Sequence, residues 1–280
     1  MSYRSILVHL DESPRCAARV ALAASLAREH GAHLLGLAPT GLVNLPRALQ
    51  PTLSDGVDFV SAALKQMKQR AADLVTRFNA QVAALGLASS EGRVHDDDNL
   101  SAVLQHARAC DLVVLGQNDP KHYTPLVSWD FPQQVFLHSG RPTLVVPYAG
   151  DFKHTGRQVV VAWCDSREAA RAMADALPLL RKAQRVDVLC FEHPVDNDPT
   201  TPQQLAGVGL WLVRHGVKAE VKREVTELDV GNALLSRACD LGADLLVMGG
   251  YGHGRVAELV VGGVTRSVLS QMTMPVLISH

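Results

Sequence analysis

The feature that most constrains this chain is an internal repeat built from apolar segments. One aligned pair consists of RSILVHLDES at 4–13 and RQVVVAWCDS at 157–166, each followed by an alanine-rich segment that we predict to be a helix. A second pair, aligned without a gap, consists of NLSAVLQHARACDLVVLG at 99–116 and NALLSRACDLGADLLVMG at 232–249. Self-similarity of this kind predicts two copies of one structural unit.

The apolar segments of each copy favour an α/β fold. ILVHL, HLLGLA, DLVVLG and TLVVP are continuous apolar runs, which are typical of parallel strands buried on both faces by helices. Right-handed crossovers between such strands give a doubly wound domain. We therefore predict tandem domains at 1–148 and 157–280, joined by a linker at 149–156. The Pro- and Gly-rich insert at 38–56 is interpreted as a loop of the first domain.

Composition excludes several classes of function. The net charge is -1 and no run of Lys and Arg stands out, so neither nucleic acid nor an anionic membrane surface is an expected partner. No stretch of apolar residues is long enough to span a bilayer. The 5 cysteines are widely spaced and form no C-x-x-C, which predicts a reduced, cytoplasmic protein.

A glycine-rich loop follows an apolar strand in the second copy. The strand DLLVMG ends at Gly249, and glycines recur up to Gly263, where a helix containing VTRSVLSQM is predicted. Ligands of such sheets lie beyond the carboxyl ends of the strands, where backbone amides and helix N-termini hold anions. The chain has neither the P-loop motif nor the dinucleotide fingerprint. These residues alone leave two alternatives open, a phosphate-binding loop and a plain turn.

The loop resembles the signature of the universal stress protein (UspA) family. Gly249-x-x-Gly252, nine residues and Gly262 follow the family pattern G-x-x-G-(nine residues)-G-[ST], and the flanking strands fit the family as well. The resemblance covers nearly the whole chain as two fused UspA-like domains. It implies a five-stranded parallel sheet of strand order 3-2-1-4-5 in each domain, with helices on both faces. Many members of the family bind ATP or AMP, and others bind no nucleotide.

Two positions depart from the family pattern. Gly263 stands where the family has Ser or Thr, and Thr265 is a candidate substitute for the missing hydroxyl. Cys164 stands where the first strand of the family commonly ends in Asp, and Asp165 follows it. A missing hydrogen bond is worth about 1 kcal/mol, so both departures weaken the expectation of ATP binding without deciding it.

The resemblance places a site for an adenine nucleotide in the second domain. Arg255 is expected to neutralise phosphate charge, and Cys190, at the end of the second strand of this domain, to form a small apolar wall beside the adenine. Mg²⁺ can accompany ATP, but no metal-ligand set and no catalytic residue is predicted. HDDD at 95–98 is interpreted as a helix cap rather than a metal cluster. The predicted binding residues are Gly249, Gly252, Arg255, Gly262, Gly263, Val264, Thr265, Ala162, Asp165 and Cys190.

The first domain lacks the loop glycines. The gapless alignment puts the following residues at the positions of Gly252, Gly262, Gly263 and Thr265, respectively: Asp119, Trp129, Asp130 and Pro132. Carboxylates repel phosphate, an indole blocks contact with the backbone, and proline has no amide proton. We therefore expect no nucleotide at 117–131, although Asp11 keeps the acidic residue that the family has after its first strand.

Three functions remain in view at this point. The first is a stress protein whose bound ATP or AMP acts as a conformational signal, with slow hydrolysis at most because no general base is apparent. The second is a nucleotide-free interaction module that acts through an unknown protein partner. The third, an adenylating enzyme of a related fold, is disfavoured because its glycine-serine loop is missing after the first strand. The resemblance also implies pairing of the last strands, TLVVP and PVLIS, which would make the chain an intrachain pseudo-dimer, with a homodimer as a further option.

Overall fold

The computed structural model describes residues 2–41, 54–122, 127–152, 154–192, 194, 201–251 and 263–280, with the backbone alone for 54–60. The chain divides into two compact units. The N-terminal unit comprises Tyr3–Ser139, and the C-terminal unit comprises Gly140–His280 with the first two residues of the chain. Each unit is described by itself below.

The N-terminal unit is a parallel sheet with alternating helices. Its strands follow the order β3-β2-β1-β4, as predicted for strands three, two, one and four of a domain. The predicted loop at 38–56 is wrong at both ends, since a strand runs to Pro39 and a helix begins at Ser54; the residues between 42 and 53 lie outside the described part. The elements are β1 Ser5–His9, α1 Cys16–His30, β2 His33–Pro39, α2 Ser54–Ala84, β3 Ser90–His95, α3 Asn99–Ala107, β4 Leu112–Gly116 and α4 Phe131–His138.

Helices cover both faces of this sheet, as the continuous apolar strands predicted. Leu7, Leu35 and Val113 belong to one buried cluster with side chains of α3 and α4. Gly36 points to the opposite face, where a Cβ would lie 2.8 Å from the Phe78 ring of α2. Successive strand residues alternate between faces, so both faces need apolar or small residues.

The C-terminal unit repeats this architecture. Its strands follow the order β5-β10-β9-β6-β7-β8, and β6 to β10 are parallel in the predicted order 3-2-1-4-5. The prediction of a doubly wound α/β fold is therefore confirmed. The elements are β5 Thr143–Val146, β6 Gln158–Ala162, α5 Arg167–Asp175, α6 Leu177–Leu180, β7 Arg185–Glu192, α7 Pro202–Arg214, β8 Glu220–Val225, α8 Val230–Asp240, β9 Leu245–Gly249, α9 Gly263–Gln271 and β10 Val276–Ser279.

The last strand of the first repeat, β5, lies in the C-terminal unit. It pairs antiparallel with β10, with Val145 opposite Val276 and Leu144 opposite Leu277. The predicted pairing of the two last strands is confirmed. Because β5 is fully buried against β10, the unit begins at Gly140, before the end of the first sequence repeat.

An aspartate that occurs in both repeats fixes the start of each first strand. The carboxylate of Asp111 accepts hydrogen bonds from the amides of Arg4 and Ser5 at 2.6 and 3.0 Å. The carboxylate of Asp244 accepts from the amides of 156–158 at 2.9 to 3.1 Å. The alignment of these two aspartates therefore reflects a structural role, not a ligand site.

Candidate functional site

The predicted site lies at the carboxyl ends of the central strands of the C-terminal unit. Ala162 at the end of β6 pairs with Met248 of β9, and Gly249 pairs with Ser279 of β10. From β6 the sheet continues to β7 on one side and to β9 on the other. The ends of β6 and β9 therefore form the switch point at which doubly wound sheets bind ligands.

Gly249 has a packing role at this edge. A Cβ at this position would lie 2.6 Å from the amide nitrogen of Ala169 and 2.9 Å from the Cβ of Glu168, both at the start of α5. Burial raises the pKa of Glu168, but the hydrogen bonds from Arg167 and the backbone, together with the charges of Arg167 and His280, outweigh burial and lower the pKa, so the carboxylate is charged at neutral pH. The absence of a side chain at Gly249 is explained by helix packing.

The loop leaves β9 through a residue in an unusual conformation. Tyr251 has φ 64°, in the left-handed region that non-glycine residues rarely adopt. Its amide donates to the hydroxyl oxygen of Thr265 at 3.4 Å, and Thr265 is buried in the first turn of α9. The hydroxyl that could replace the missing family Ser or Thr thus connects the beginning of the loop to α9.

Helix α9 begins at Gly263 beside the loop. A Cβ at Gly263 would meet no atom of the described residues within 4 Å, and this residue is exposed. Val264 is half-buried and Thr265 is buried. The first amides of a helix have no partner inside the helix, so this end of α9 offers backbone donors beside Gly263.

The end of β6 presents its polar groups to the neighbouring helices. The thiol of Cys164 lies 3.4 Å from the hydroxyl of Ser166, which caps α5 by accepting from the amide of Ala169. The exposed carboxylate of Asp165 accepts from the amide group of Gln204 in α7 at 2.9 Å. Asp165 therefore replaces the family's strand-end Asp in sequence, but its carboxylate is bonded to α7.

Cys190 lies within β7, not at its end as the sequence suggested, because the strand continues to Glu192. The cysteine is fully buried, and its thiol is 3.9 Å from a carboxylate oxygen of Glu192. That carboxylate forms an ion pair with Arg223 of β8 at 2.6 Å. An apolar wall formed by Cys190 would thus lie beside a charged pair.

Trp163 was not singled out in the sequence. It follows β6 directly, and its amide donates to the carbonyl of Leu189 at 2.8 Å, as the amide of Leu10 does to Leu37 in the first repeat. The indole Nε1 is buried and has no hydrogen-bond partner among the described residues. A buried, unpaired donor beside the switch point is a group that a ligand could satisfy.

Three predicted binding residues, Gly252, Arg255 and Gly262, lie outside the described residues. The fold brings six of the predicted binding residues to the carboxyl edge of the sheet. They are Ala162, Asp165, Gly249, Gly263, Val264 and Thr265.

In the N-terminal unit, a buried arginine lies at the carboxyl ends of β1 and β4. Arg19 of α1 is 2% exposed and donates through Nε to the carbonyl of His9 at 3.0 Å. Its Nη2 lies 2.8 Å from the carboxylate of Asp11. The guanidinium also packs against Gly116, the counterpart of Gly249, and leaves no room there for a side chain. The retained Asp11 therefore pairs with a cation of the chain itself.

Burial and charge pairing define the ionisation of this cluster. Burial raises the pKa of Asp11, but Arg19, assisted by His9 and the amide of Ser13, outweighs it and lowers the pKa to about 2. Burial lowers the pKa of His9, whose Nε2 lies 2.8 Å from the side-chain oxygen of Asn99. Sequence reasoning singled out Asp11 but missed Arg19, because Arg19 occurs in an alanine-rich helix and aligns with Ala172.

The loop positions of the N-terminal unit carry the expected bulk and charge. Trp129 is 65% exposed, and Asp130 accepts from the side chain of Gln134 at 2.9 Å. The side chain of Asp119 accepts from the amide of Lys121 at 2.8 Å. Hydrogen bonds to their charged forms lower the pKa of both aspartates, so both are anionic at neutral pH.

The acidic run at 95–98 begins a helix, as predicted. Asp98 accepts from the amides of Leu100 and Ser101 at 2.9 and 3.0 Å and is the N-cap of α3. Within the described ranges, no group of three or more His, Cys, Asp or Glu side chains could hold a metal ion. Among the residues that the structure describes, no helix is long and apolar enough to cross a membrane.

Comparisons with known proteins agree with the fold. Universal stress protein Slr1230 of Synechocystis sp. is 39% identical over 82 residues, which amounts to 27% of this chain and 27% of that relative's length. The crystal structure of a universal stress protein from Archaeoglobus fulgidus DSM 4304 covers 98% of this chain and 97% of its own, at 17% identity and a TM-score of 0.71. That likeness concerns the fold.

A universal stress protein solved in complex with cAMP covers 53% of this chain and 100% of its own, at 18% identity and a TM-score of 0.39. At that level the ligand is a property of that protein. The family model for the universal stress protein family matches residues 156–280, which include β6 to β10. Over these residues, which make up less than half of the chain, the sequence is similar to the universal stress protein family.

Proposed function

We propose that the C-terminal domain binds ATP or AMP and that the bound nucleotide acts as a conformational signal. The observation that carries the proposal is the start of α9 at Gly263, in space free of other described atoms, beside the carboxyl ends of β6 and β9. The amides of Gly263, Val264 and Thr265 would hold phosphate oxygens there. The sequence adds glycines at 252 and 262 and Arg255 in the connecting loop.

The contrast between the two units supports a site in one of them. In the N-terminal unit, the guanidinium of Arg19 lies against Gly116 and pairs with Asp11, and Asp119 and Asp130 are anionic. In the second repeat, Ala172 takes the place of Arg19 and Gly263 that of Asp130. At these two aligned positions, the second repeat therefore lacks the side chains that would exclude a phosphate from the first.

Hydrolysis by such a site would be slow at most. A general base has to lie within hydrogen-bonding reach of the attacking water, about 3 Å away. Asp165 is the carboxylate of the candidate set, and its side chain is bonded to Gln204 at 2.9 Å. Mg²⁺ would arrive with ATP on its phosphates, and a nucleotide that is held without rapid turnover suits a signal.

The alternative is a nucleotide-free interaction module that acts through a protein partner. One observation favours it: the C-terminal unit exposes several large apolar side chains. Leu210 and Val213 on α7 are 57% and 64% exposed, and Leu228 after β8 is 69% exposed. Apolar side chains grouped on a surface are typical of contacts with other proteins. The departures at Gly263 and Cys164 point the same way.

Calorimetric titration with ATP and AMP distinguishes the two functions. The variant Gly263→Asp copies Asp130 of the first repeat and places a charge at the start of α9. Ser270→Asp, an exposed position near the other end of α9, is the matched control. Binding to the wild type and to the control, with loss of binding in Gly263→Asp, supports the nucleotide site. If wild-type protein that is folded and free of ligand gives no heat with either nucleotide, the nucleotide site is excluded and the interaction module is supported.

We further propose that the chain is an intrachain pseudo-dimer, since the antiparallel pairing of β5 with β10 covers the strand that would otherwise be an open edge. The outer strand β8 carries charged side chains such as Glu220, Lys222 and Glu224, which discourage pairing with another chain. Sedimentation of the purified protein tests this: a monomer is expected, and a stable homodimer would show that a further surface is used.

A further inference from the structure

Two histidines that are 11 residues apart in the sequence contact each other at the edge of the N-terminal unit. His95 ends β3, and His106 lies in the last turn of α3. The Nε2 of His106 is 3.2 Å from the Nδ1 of His95. Their ring centroids are 4.9 Å apart, at an interplanar angle of 88°. Both side chains are partly exposed, so the pair is accessible from solvent.

The spacing of the two nitrogens matches a shared metal ion. Imidazole nitrogens bind Zn²⁺ at about 2.0–2.1 Å, so two nitrogens 3.2 Å apart would subtend an angle of about 100° at the metal, close to the tetrahedral value. A straight, end-on arrangement of the rings would add a ring radius at each end to the 3.2 Å, which exceeds the observed centroid distance. The rings are therefore bent about the nitrogen pair, as a chelate requires.

We propose that His95 and His106 form a two-imidazole site for a divalent transition-metal ion, with water completing its coordination. Imidazole ligands suit Zn²⁺, Ni²⁺ and Cu²⁺, with affinity rising from Ni²⁺ to Cu²⁺. The described residues supply no third His, Cys, Asp or Glu to this pair. The site is consequently exchangeable, not a closed structural site.

The charged groups around the pair act in opposite directions on a bound cation. The carbonyl end of α3 favours a positive charge at His106. From the other adjoining elements, the Asp96 carboxylate faces Lys68 of α2 at 2.6 Å.

Arg93 is the group that opposes the metal. Its Nη1 lies 3.5 Å from the Nδ1 of His106, and its Nε and Nη2 bond the carboxylate of Glu91 at 3.0 and 2.7 Å. An arginine can only donate, so it favours the tautomer with the proton on Nε2, which faces His95. A metal on Nε2 requires that proton to move to Nδ1. Removing Arg93 should therefore tighten binding, whereas removing either histidine should weaken it.

Titration of the full-length protein with Ni²⁺, by calorimetry, tests the site. We expect the wild type to bind one Ni²⁺ ion per chain. Binding of Ni²⁺ should be at least tenfold weaker in His95→Gln and in His106→Gln, and severalfold tighter in Arg93→Gln. His122→Gln, another exposed histidine of the same unit, is the matched control and should bind as the wild type does. Circular dichroism verifies that each variant is folded.

Two outcomes would overturn the proposal. One is equal Ni²⁺ affinity in the wild type and in the double variant of His95 and His106, which would place the ion elsewhere, for instance on a cysteine. The other is no binding to either the wild type or Arg93→Gln at millimolar Ni²⁺, which would leave the pair as a hydrogen bond between β3 and α3. The result of this test does not depend on whether the C-terminal domain binds a nucleotide.

Discussion

Replacing Arg19 by methionine should destabilise the N-terminal unit strongly. Methionine keeps much of the length of the side chain but removes the guanidinium that pairs with Asp11 and donates to the carbonyl of His9. Arg19 is 2% exposed and the Asp11 side chain 11%, so little water is available to take its place. The variant leaves a buried carboxylate without its counter-charge.

The size of the effect follows from the ionisation of Asp11. Its pKa falls from 3.8 to about 2 in the folded chain. At about 1.4 kcal/mol per pKa unit, the ionised carboxylate contributes about 2.5 kcal/mol to the free energy of unfolding at neutral pH. Removing one partner of a buried ion pair costs about 3–5 kcal/mol in other proteins, so a loss of about 3 kcal/mol is expected for Arg19→Met.

The pH dependence has a defined sign. Because the folded pKa lies below the unfolded one, the contribution is present above pH 3.8 and disappears as the pH falls towards 2. Wild-type protein should lose this stability within that window. Arg19→Met, which lacks the shift, should show a flatter acid limb.

Urea denaturation of the single variants and of the double variant measures the pair. For Arg19→Met and Asp11→Asn, the double variant should be at least 1 kcal/mol more stable than the sum of the single losses implies. Arg28→Met, an exposed arginine of the same helix, should change the free energy of unfolding by less than about 1 kcal/mol. Additive losses for the pair, or equal losses for Arg19→Met and Arg28→Met, would refute the reasoning.

Two further predictions concern the glycines of the candidate site. Gly263→Ser restores the hydroxyl of the family pattern at a position where no described atom lies within 4 Å of the added Cβ. It should tighten ATP binding by about fivefold, the equivalent of one hydrogen bond of about 1 kcal/mol. Calorimetry measures this, and unchanged affinity would place the phosphates elsewhere. Gly249→Ala puts a Cβ 2.6 Å from the backbone of Ala169 and should lower the free energy of unfolding by about 1–3 kcal/mol. Thermal denaturation compares it with Gly263→Ala, which meets no described atom; equal stabilities would contradict the packing role.

Much of the fold could be predicted because it depends on patterns that act locally or repeat. Continuous apolar strands and the acidic residue before α3 each led to a feature that the structure contains. The order of the strands came from the family resemblance, because periodicity does not contain it. The pairing of β5 with β10 came from the same source.

The polar interior could not be predicted, because it depends on contacts between segments that are far apart in sequence. Arg19 meets Gly116 and Asp11 only after α1 has packed against the sheet, and an arginine in a helix ordinarily indicates an exposed face. His95 was assigned to an acidic capping run, and its contact with His106 depends on how α3 returns along β3. Gly249 shows the same limit, since a glycine required for packing has the same letter as one required for a ligand.

The antiparallel pairing of β5 with β10 has a consequence for dividing this protein. A fragment that starts at residue 157 would lack the partner of Val276–Ser279. That apolar strand would then be an unpaired edge strand, which can pair with strands of other molecules. A fragment that starts at Gly140 would carry its own cover for that border. The strand Thr143–Val146 thus belongs to the first repeat by sequence and to the C-terminal unit by structure.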